Sequence, residues 1–436
     1  MKTIASLCAL FLSATLSVQI AKAAANDTFN VRTFGAKGDG VALDTEAVQK
    51  ALDACGKAGG GTVVFPAGTY LCQPITLKSK TTVVLEADAI LKATDDPKDY
   101  LPANVTWDQI LAGTSKGPFK PFVGGKDLVD ITITGKGTID GSGAKWWIPA
   151  EEARKKVSGY TLPRPNLVVL QRSKNVRMSG ITLRDSPKFH FVPTECEDVL
   201  IEDVTVLAPE GAANTDGIDP SACKNVTITR CLIDVGDDNI AIKSGKKIEG
   251  REFACENIVI TDCVFKHGHG LSIGSETVGG VRGVTVKNCR FENTENGIRI
   301  KSRRDRGGRV EDISYTDIVM TNVYPALSFA CYYQNSSQLK FLKDDKAEPM
   351  TETTPAFKNI TVKNLTAHST RGAGLIVGLP ESLVKNFVLE NVSIKAQTGL
   401  TIANASGVEL KNVTVEVQKG DRYILHNAEV KGLPQD

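Results

Sequence analysis

The chain has 436 residues, 41% of them hydrophobic, which excludes a disordered chain and leaves room for a large core or for several ordinary domains. Its formal charge of +2 excludes a globally basic surface of the kind that binds nucleic acid. With 39 glycines and short runs of Val, Ile, Thr and Asn, the composition favours strands and turns over helices.

The first residues read as a signal peptide. Lys2 is the basic flank, residues 4–20 are the apolar stretch, and Ala21-Lys22-Ala23 is a small-x-small cleavage site. Ser, Thr and Gln interrupt the stretch, so a retained membrane anchor is the weaker reading. No Cys stands at the cleavage site to carry a lipid. No later run reaches the roughly 18 apolar residues of a spanning helix. Cleavage after Ala23 removes Lys2 and Lys22 and no acid, which takes the charge from +2 to 0. The expected organisation is a leader at 1–23 and one domain over 24–436, without a linker.

Residues 29–43 read as strand and glycine turns. Asp44 or Thr45 then caps a helix over 44–56, whose Val48, Ala51, Leu52 and Cys55 form an i, i+3, i+4, i+7 stripe. Gly59-Gly60-Gly61 ends it, and strands follow at 62–65 and 81–85. No other stretch of the mature chain has a convincing amphipathic helical pattern.

From about residue 127 the sequence repeats. A Lys-Asn-Val-like motif recurs at Lys174, Glu197, Lys224, Glu256, Arg282, Glu311, Lys358 and Lys385, with a shorter copy at Gly407-Val408. The spacings of 23, 27, 32, 26, 29, 47, 27 and 21 residues suit one coil of a parallel β-helix, with about three short strands per coil. A propeller blade needs about 40 residues or more, and the Leu/Asn signature of leucine-rich repeats is missing. A solenoid must cover its ends, and the helix at 44–56 is the natural N-terminal cap. The long spacing holds a charged insertion around 334–355. A second insertion at 142–165 carries Trp146, Trp147 and Tyr160, either to stack on sugar rings or to pin the loop to the solenoid.

Ten cysteines include Cys8 in the leader, so nine remain, and an odd number leaves at least one free thiol or an intermolecular bond. Cys55 with Cys72, and Cys223 with Cys231, are candidate pairs. Cys231, Cys263 and Cys289 occupy matching repeat positions and suit a stack of small buried side chains. Without a CxxC, a structural zinc site is not expected. Asn-x-Ser/Thr sequons at Asn225, Asn359, Asn364, Asn391 and Asn412 fall inside the repeat motif and read as its by-products.

The chemistry concentrates between Gly211 and Lys301. Asn214-Thr215-Asp216-Gly217, Gly236-Asp237-Asp238-Asn239, Gly268-His269-Gly270 and Arg299-Ile300-Lys301 each lie in or just before a short alternating strand. With Ile218, Ile240, Leu271 and Ile298 as the first apolar residue of each, Asp216, Asp238 and His269 fall two residues upstream. Parallel stacking puts them in one column at about 4.8 Å per strand. Arg299 and Lys301 share the face opposite Ile298 and Ile300. Gly236 allows a bend that brings both Asp237 and Asp238 to that surface. Crowded carboxyls supply one protonated and one ionised group, which glycosidic-bond hydrolysis needs. His269 suits a role in tuning them or in binding substrate, and the cation pair suits a carboxylate-bearing substrate. His267 is off the column, and His190 is either a groove residue or a structural one.

These signatures, in this order, resemble glycoside hydrolase family 28, the pectin-degrading polygalacturonases. Residues 34–40 (Phe-Gly-Ala-Lys-Gly-Asp-Gly) match a pattern found more widely among pectin-lyase-like β-helices, and Gly274-Ser275-Glu276 is most like the bacterial endo-polygalacturonases. The resemblance implies an all-β, right-handed parallel β-helix that hydrolyses α-1,4-linked galacturonan with inversion. It implies Asp237 as general acid, Asp216 and Asp238 as activators of the water, and His269 beside them. Arg299 and Lys301 would hold galacturonate carboxylates. Asn214 and Tyr332 would bind substrate, with Tyr333 the alternative tyrosine. The expected protein is secreted (outside the cell or into the periplasm) and monomeric, acts on a pectic polysaccharide, needs no cofactor or metal, and has no nucleic-acid or membrane partner. Exo action, a Ca²⁺-dependent pectate lyase and a carbohydrate-binding β-helix are the competing readings.

Overall fold

The computed structural model describes residues 27–157, 161–245, 253–333 and 344–434. The chain winds as a right-handed parallel β-helix, and every strand pairing is parallel and runs from one coil to another. Three faces result. The first begins with Thr28–Asn30, Gly61–Phe65 and Thr81–Leu85 and continues through Lys174–Ser179, Lys224–Thr229 and Cys255–Thr261. The second runs through Gly68–Cys72, Thr182–Arg184 and Val264–Lys266. The third, which carries the site, runs through Phe191–Thr194, Ile240–Ser244, Leu271–Thr277, Ile298–Lys301 and Leu327–Ala330. From Val281–Glu292 onward the first two faces join in single long strands.

The repeat motif sets the register. Lys174, Glu197, Lys224, Glu256, Arg282, Glu311, Lys358, Lys385 and Ser406 stand opposite one another in successive coils, as the sequence spacing predicts. The coils nevertheless start earlier than residue 127, since Gly61–Phe65 already pairs with Thr81–Leu85. The second motif position is a corner. Asn175, Asp198, Asn225, Asn257, Gly283, Asp312, Asn359, Asn386 and Gly407 have φ between 55° and 67°, where Asn, Asp and Gly are tolerated best. The third position points inward: Val176, Val226, Ile258, Val284, Ile360 and Phe387 stack in the core at 2% exposure or less. At the corner the amides bind coil to coil, Asn225 Nδ2 donating to Asp198 (2.9 Å) and Asn359 Nδ2 to Asp312 (2.8 Å). Asn364, Asn391 and Asn412 build a second such ladder, so the amides of all five named sequons are engaged in the fold.

Helix α1 (Thr45–Lys57) covers the N-terminal end of the core with Val48, Ala51, Leu52 and Cys55, all fully buried. Asp44 stands at its cap position but does not cap it. Its carboxylate accepts the amides of Lys37 (2.7 Å) and Gly38 (2.9 Å), and Thr45 Oγ1 accepts that of Gln73 (2.8 Å). Two further helices occur that no apolar stripe announced: α2 (Trp107–Leu111) and α3 (Ala144–Lys156). The insertion at 142–165 is thus largely helical. Trp146 packs edge-on against Tyr100, Trp107 and Phe119, and the Trp147 indole donates to the Ser186 carbonyl at 3.0 Å. Both tryptophans pin the insertion to the solenoid; Tyr160 lies outside the described residues. The expected leader at 1–23 and residues 334–343 also lie outside them.

The nine cysteines from Cys55 to Cys331 are all free and buried, so neither candidate disulfide forms. Cys231, Cys263 and Cys289 stack in neighbouring coils as expected, and Cys196, Cys223 and Cys255 make a second stack. Their thiols donate to carbonyls of the preceding coil, as Cys196 does to Leu170 (3.2 Å) and Cys223 to Pro193 (3.2 Å). Among the described residues no helix is long and apolar enough to cross a membrane.

Candidate active site

On the third face Ile218 pairs with Ile240, Ile240 with Leu271, and Leu271 with Ile298. That register brings Asp216, Asp238 and His269 into line at the ends of adjacent coils. The turns between them leave no room for larger residues. A Cβ on Gly268 would lie 2.3 Å from the Asp237 carbonyl, and one on Gly270 would lie 2.1 Å from that of Asn296. Asn239 fastens the Asp237-Asp238 bend: its Nδ2 donates to the Ile233 and Lys266 carbonyls (2.8 and 3.1 Å), and its Oδ1 accepts the Gly270 amide (2.9 Å). Asp237 and Asp238 both face one cleft of about 1050 Å³.

The two acids have different partners. Asp238 accepts from Lys301 Nζ (2.6 Å), from Ser272 Oγ (2.9 Å) and, closest, from Arg299. Burial alone would push its carboxyl up, but Lys301 and Arg299 outweigh burial and hold it well below the usual range. Asp237 lies 3.0 Å from Nδ1 of His269, whose Nε2 lies 2.6 Å from Glu295. Burial pushes Asp237 up as well, but the bond and charge of His269 overcome this and hold it at about 2. Burial likewise opposes charge on His269, yet the bonds to Asp237 and Glu295 lift it to about 10. This pair therefore carries one proton over a wide pH range, and that proton rests on the imidazole.

Asp216 is the acid pushed well above the ordinary carboxylate range, by burial first and by Asp219 second. Lys243 donates to its Oδ2 at 3.2 Å and also holds Asp219. Asn214 takes a bond from the buried Arg164 on Oδ1 (2.9 Å) and turns Nδ2 toward Asp237 Oδ2 at 3.5 Å. Arg164 also donates to the Ala213 carbonyl at 3.0 Å.

The cleft thus gathers Asn214, Asp216, Asp237, Asp238, His269, Arg299 and Lys301, every expected residue except one. Tyr332 faces away: its hydroxyl donates to Asp345 at 2.5 Å. Tyr333 lines the cleft instead, with Lys301 Nζ 5.4 Å from its ring centroid. His190 is fully buried, its Nδ1 3.0 Å from the Asp216 carbonyl, so it is structural. His267 pairs with Asp234 at 2.7 Å, off the column. Lys243 and Asp219 were legible as outward-phase residues next to Ile242 and Ile218, whereas Glu295, Arg306 and the cleft residues Lys116 and Arg154 gave no pattern to follow.

Asp237, Asp238 and His269 hold ligand-type atoms within 4.8 Å of one another. Their lone pairs, however, are directed at Lys301, Arg299, Ser272 and each other, an environment already supplied with positive charge.

The family model described as glycosyl hydrolases family 28 matches residues 55–418. A probable polygalacturonase of Vitis vinifera is 32% identical over 374 residues, covering 83% of this chain and 73% of that protein. An endo-polygalacturonase of Pectobacterium carotovorum subsp. carotovorum is 31% identical over 383 residues, covering 85% and 87%. Among solved structures, an exopolygalacturonase from Thermotoga maritima superposes with a TM-score of 0.76 at 29% identity, covering 90% of this chain and 92% of that one. The match over most of the solenoid, together with the acids, imidazole and cations in its third-face cleft, places this chain in glycosyl hydrolases family 28, and it is a glycoside hydrolase.

Proposed function

We propose that the protein is a secreted polygalacturonase that cleaves α-1,4-galacturonosyl bonds within the polymer, with inversion. The observation that carries this reading is Asp238 seated on Arg299 and Lys301, one residue from an Asp237–His269 pair, in a cleft also lined by Lys116, Arg154, Lys243 and Arg306. Acids do the hydrolysis and the cations match a polyuronide. A galacturonate carboxylate docking on Arg299 and Lys301 brings a negative charge that opposes the field keeping Asp237 ionised. The proton then crosses the 3.0 Å bond from His269 to Asp237. Asp237 gives it to the leaving oxygen, while Asp216 and Asp238 orient a water and accept its proton as its oxygen bonds to the anomeric carbon. The relatives support the substrate; the leader at 1–23 supports export.

Exo action has one observation in its favour. Arg304 binds Glu381 (2.7 and 3.0 Å) and Asp345 (3.0 Å), which fastens part of the 334–355 insertion next to the turn that follows Lys301. Product analysis on unesterified polygalacturonate decides. Saturated oligomers of mixed size, unchanged by a chelator, are expected. Monomer or dimer alone would mean exo action, and unsaturated, chelator-sensitive products would overturn hydrolysis. Asp237→Asn is expected to lower kcat by about 10²–10⁴-fold with little change in KM.

A further inference from the structure

Asp219 stands three residues beyond Asp216, in the outward phase of the bridge between Ile218 and Ile240. Asp219 is 1% exposed and Asp216 3%. Lys243, outward on Ile240–Ser244, donates to Oδ2 of both. The Oδ1 atom of each is buried without a protein partner. Two buried carboxyls thus share one ammonium, although burial disfavours an acid without its own counter-charge. Anchoring Lys243 needs only one of them, so the second negative charge calls for a reason.

The other charged groups facing Asp216 are Asp237 and Asp238 from the next coil, Lys188 from the preceding turn and Arg164 from the segment after α3. His190 contributes only its ring contact with the Asp216 carbonyl. Asp237 and Asp238 are matched by His269, Lys301 and Arg299. After burial, the charges that act most strongly on Asp216 are those of Asp219 and Lys243.

Resting on the assignment of Asp216 as a water-activating base, we infer that Asp219 and Lys243 are opposed positioning residues that set its proton affinity. The Asp219 charge makes Asp216 a stronger base than a lone carboxylate. The Lys243 ammonium limits that gain, so that Asp216 still loses its proton between turnovers, and holds the carboxylate in one orientation. Lys243 stays charged throughout, because the two acids outweigh its burial. The water proton goes to Asp216 as the water oxygen bonds to the anomeric carbon, and the leaving oxygen takes its proton from Asp237, so charge and atoms balance.

The test is the pH dependence of kcat/KM on polygalacturonate for the wild type, Asp219→Asn and Lys243→Met. Both substitutions keep side-chain volume. The acidic limb reports the base. Removing the neighbouring negative charge lowers the proton affinity of Asp216 and moves that limb to lower pH. Removing the ammonium moves it to higher pH. Shifts of about one pH unit in opposite directions are expected. Limbs that stay put, or move the same way, overturn the inference, because loss of structure alone gives no opposed shifts. Where one variant does not fold by circular dichroism, the sign of the shift in the other decides. A wild type that leaves polygalacturonate intact would instead bring down the assigned activity, a result distinct from limbs that fail to separate.

Discussion

Tyr332 and Tyr333 are neighbours of the same type with different places. Tyr332 is tied through its hydroxyl to Asp345, which also binds Arg304, while Tyr333 meets Lys301 over its ring. A ring beside a partly buried ammonium contributes about 0.5–2 kcal/mol. Tyr333→Ala is accordingly expected to raise KM roughly threefold to thirtyfold on polygalacturonate. Tyr332→Phe should leave KM within about twofold and lower stability by about 1 kcal/mol, read as a shift in the denaturation midpoint. The reverse ranking of KM effects would return the substrate tyrosine to position 332. Adjacent residues on an irregular turn have no fixed phase, so no pattern distinguished the two. Asp238 and His269 were legible because each is counted from an alternating strand, whereas Asp216 is counted from Ile218, which makes only single bridges to its neighbours. Which acid has the raised proton affinity was not legible: mutual repulsion predicted one, but only contacts from other coils show that it is Asp216 and not Asp237.

At the scale of the element, the corner ladders join turn chemistry to stability. Asn225 combines φ of 56° with a bond from its amide to Asp198. Asn225→Ala loses the bond and puts a Cβ without local compensation in the left-handed region, a cost of about 1–3 kcal/mol in urea unfolding. Asn225→Gly keeps the backbone comfortable and should cost less than the alanine variant. Equal losses would mean that the conformation matters little and the bond carries the effect. The corners were readable from the Lys-Asn-Val repeat. Helix α3 was not, because it buries only Trp146 and Ala150 and contains Pro149, so no stripe marks it. The cysteine pairs failed for a related reason. Spacing put Cys55 near Cys72 and Cys223 near Cys231, but Cys55 Sγ meets the Thr81 hydroxyl and the Cys223 and Cys231 thiols donate to carbonyls of the preceding coil.

For the whole molecule, a formal net charge of only +2 means that polyanion binding depends on a local field: Lys116, Arg154, Lys243, Arg299, Lys301 and Arg306 around one cleft. The Debye length falls from about 10 Å at 0.1 M salt to about 3 Å at 1 M. Initial rates across that range should show KM rising severalfold while kcat holds; a fall in kcat at constant KM would place the salt effect on the chemistry instead. The order of residues along the chain was enough to specify a parallel β-helix, its coil register and the column of acids and imidazole, because all three follow from a period-two strand pattern and a corner motif repeated once per coil. Which tyrosine reaches the cleft, how the insertion at 142–165 folds, and where Asp219 and Lys243 set the charge of Asp216 depend on contacts between segments tens of residues apart. Local periodicity carries no record of those contacts, and packing of the finished solenoid determines them.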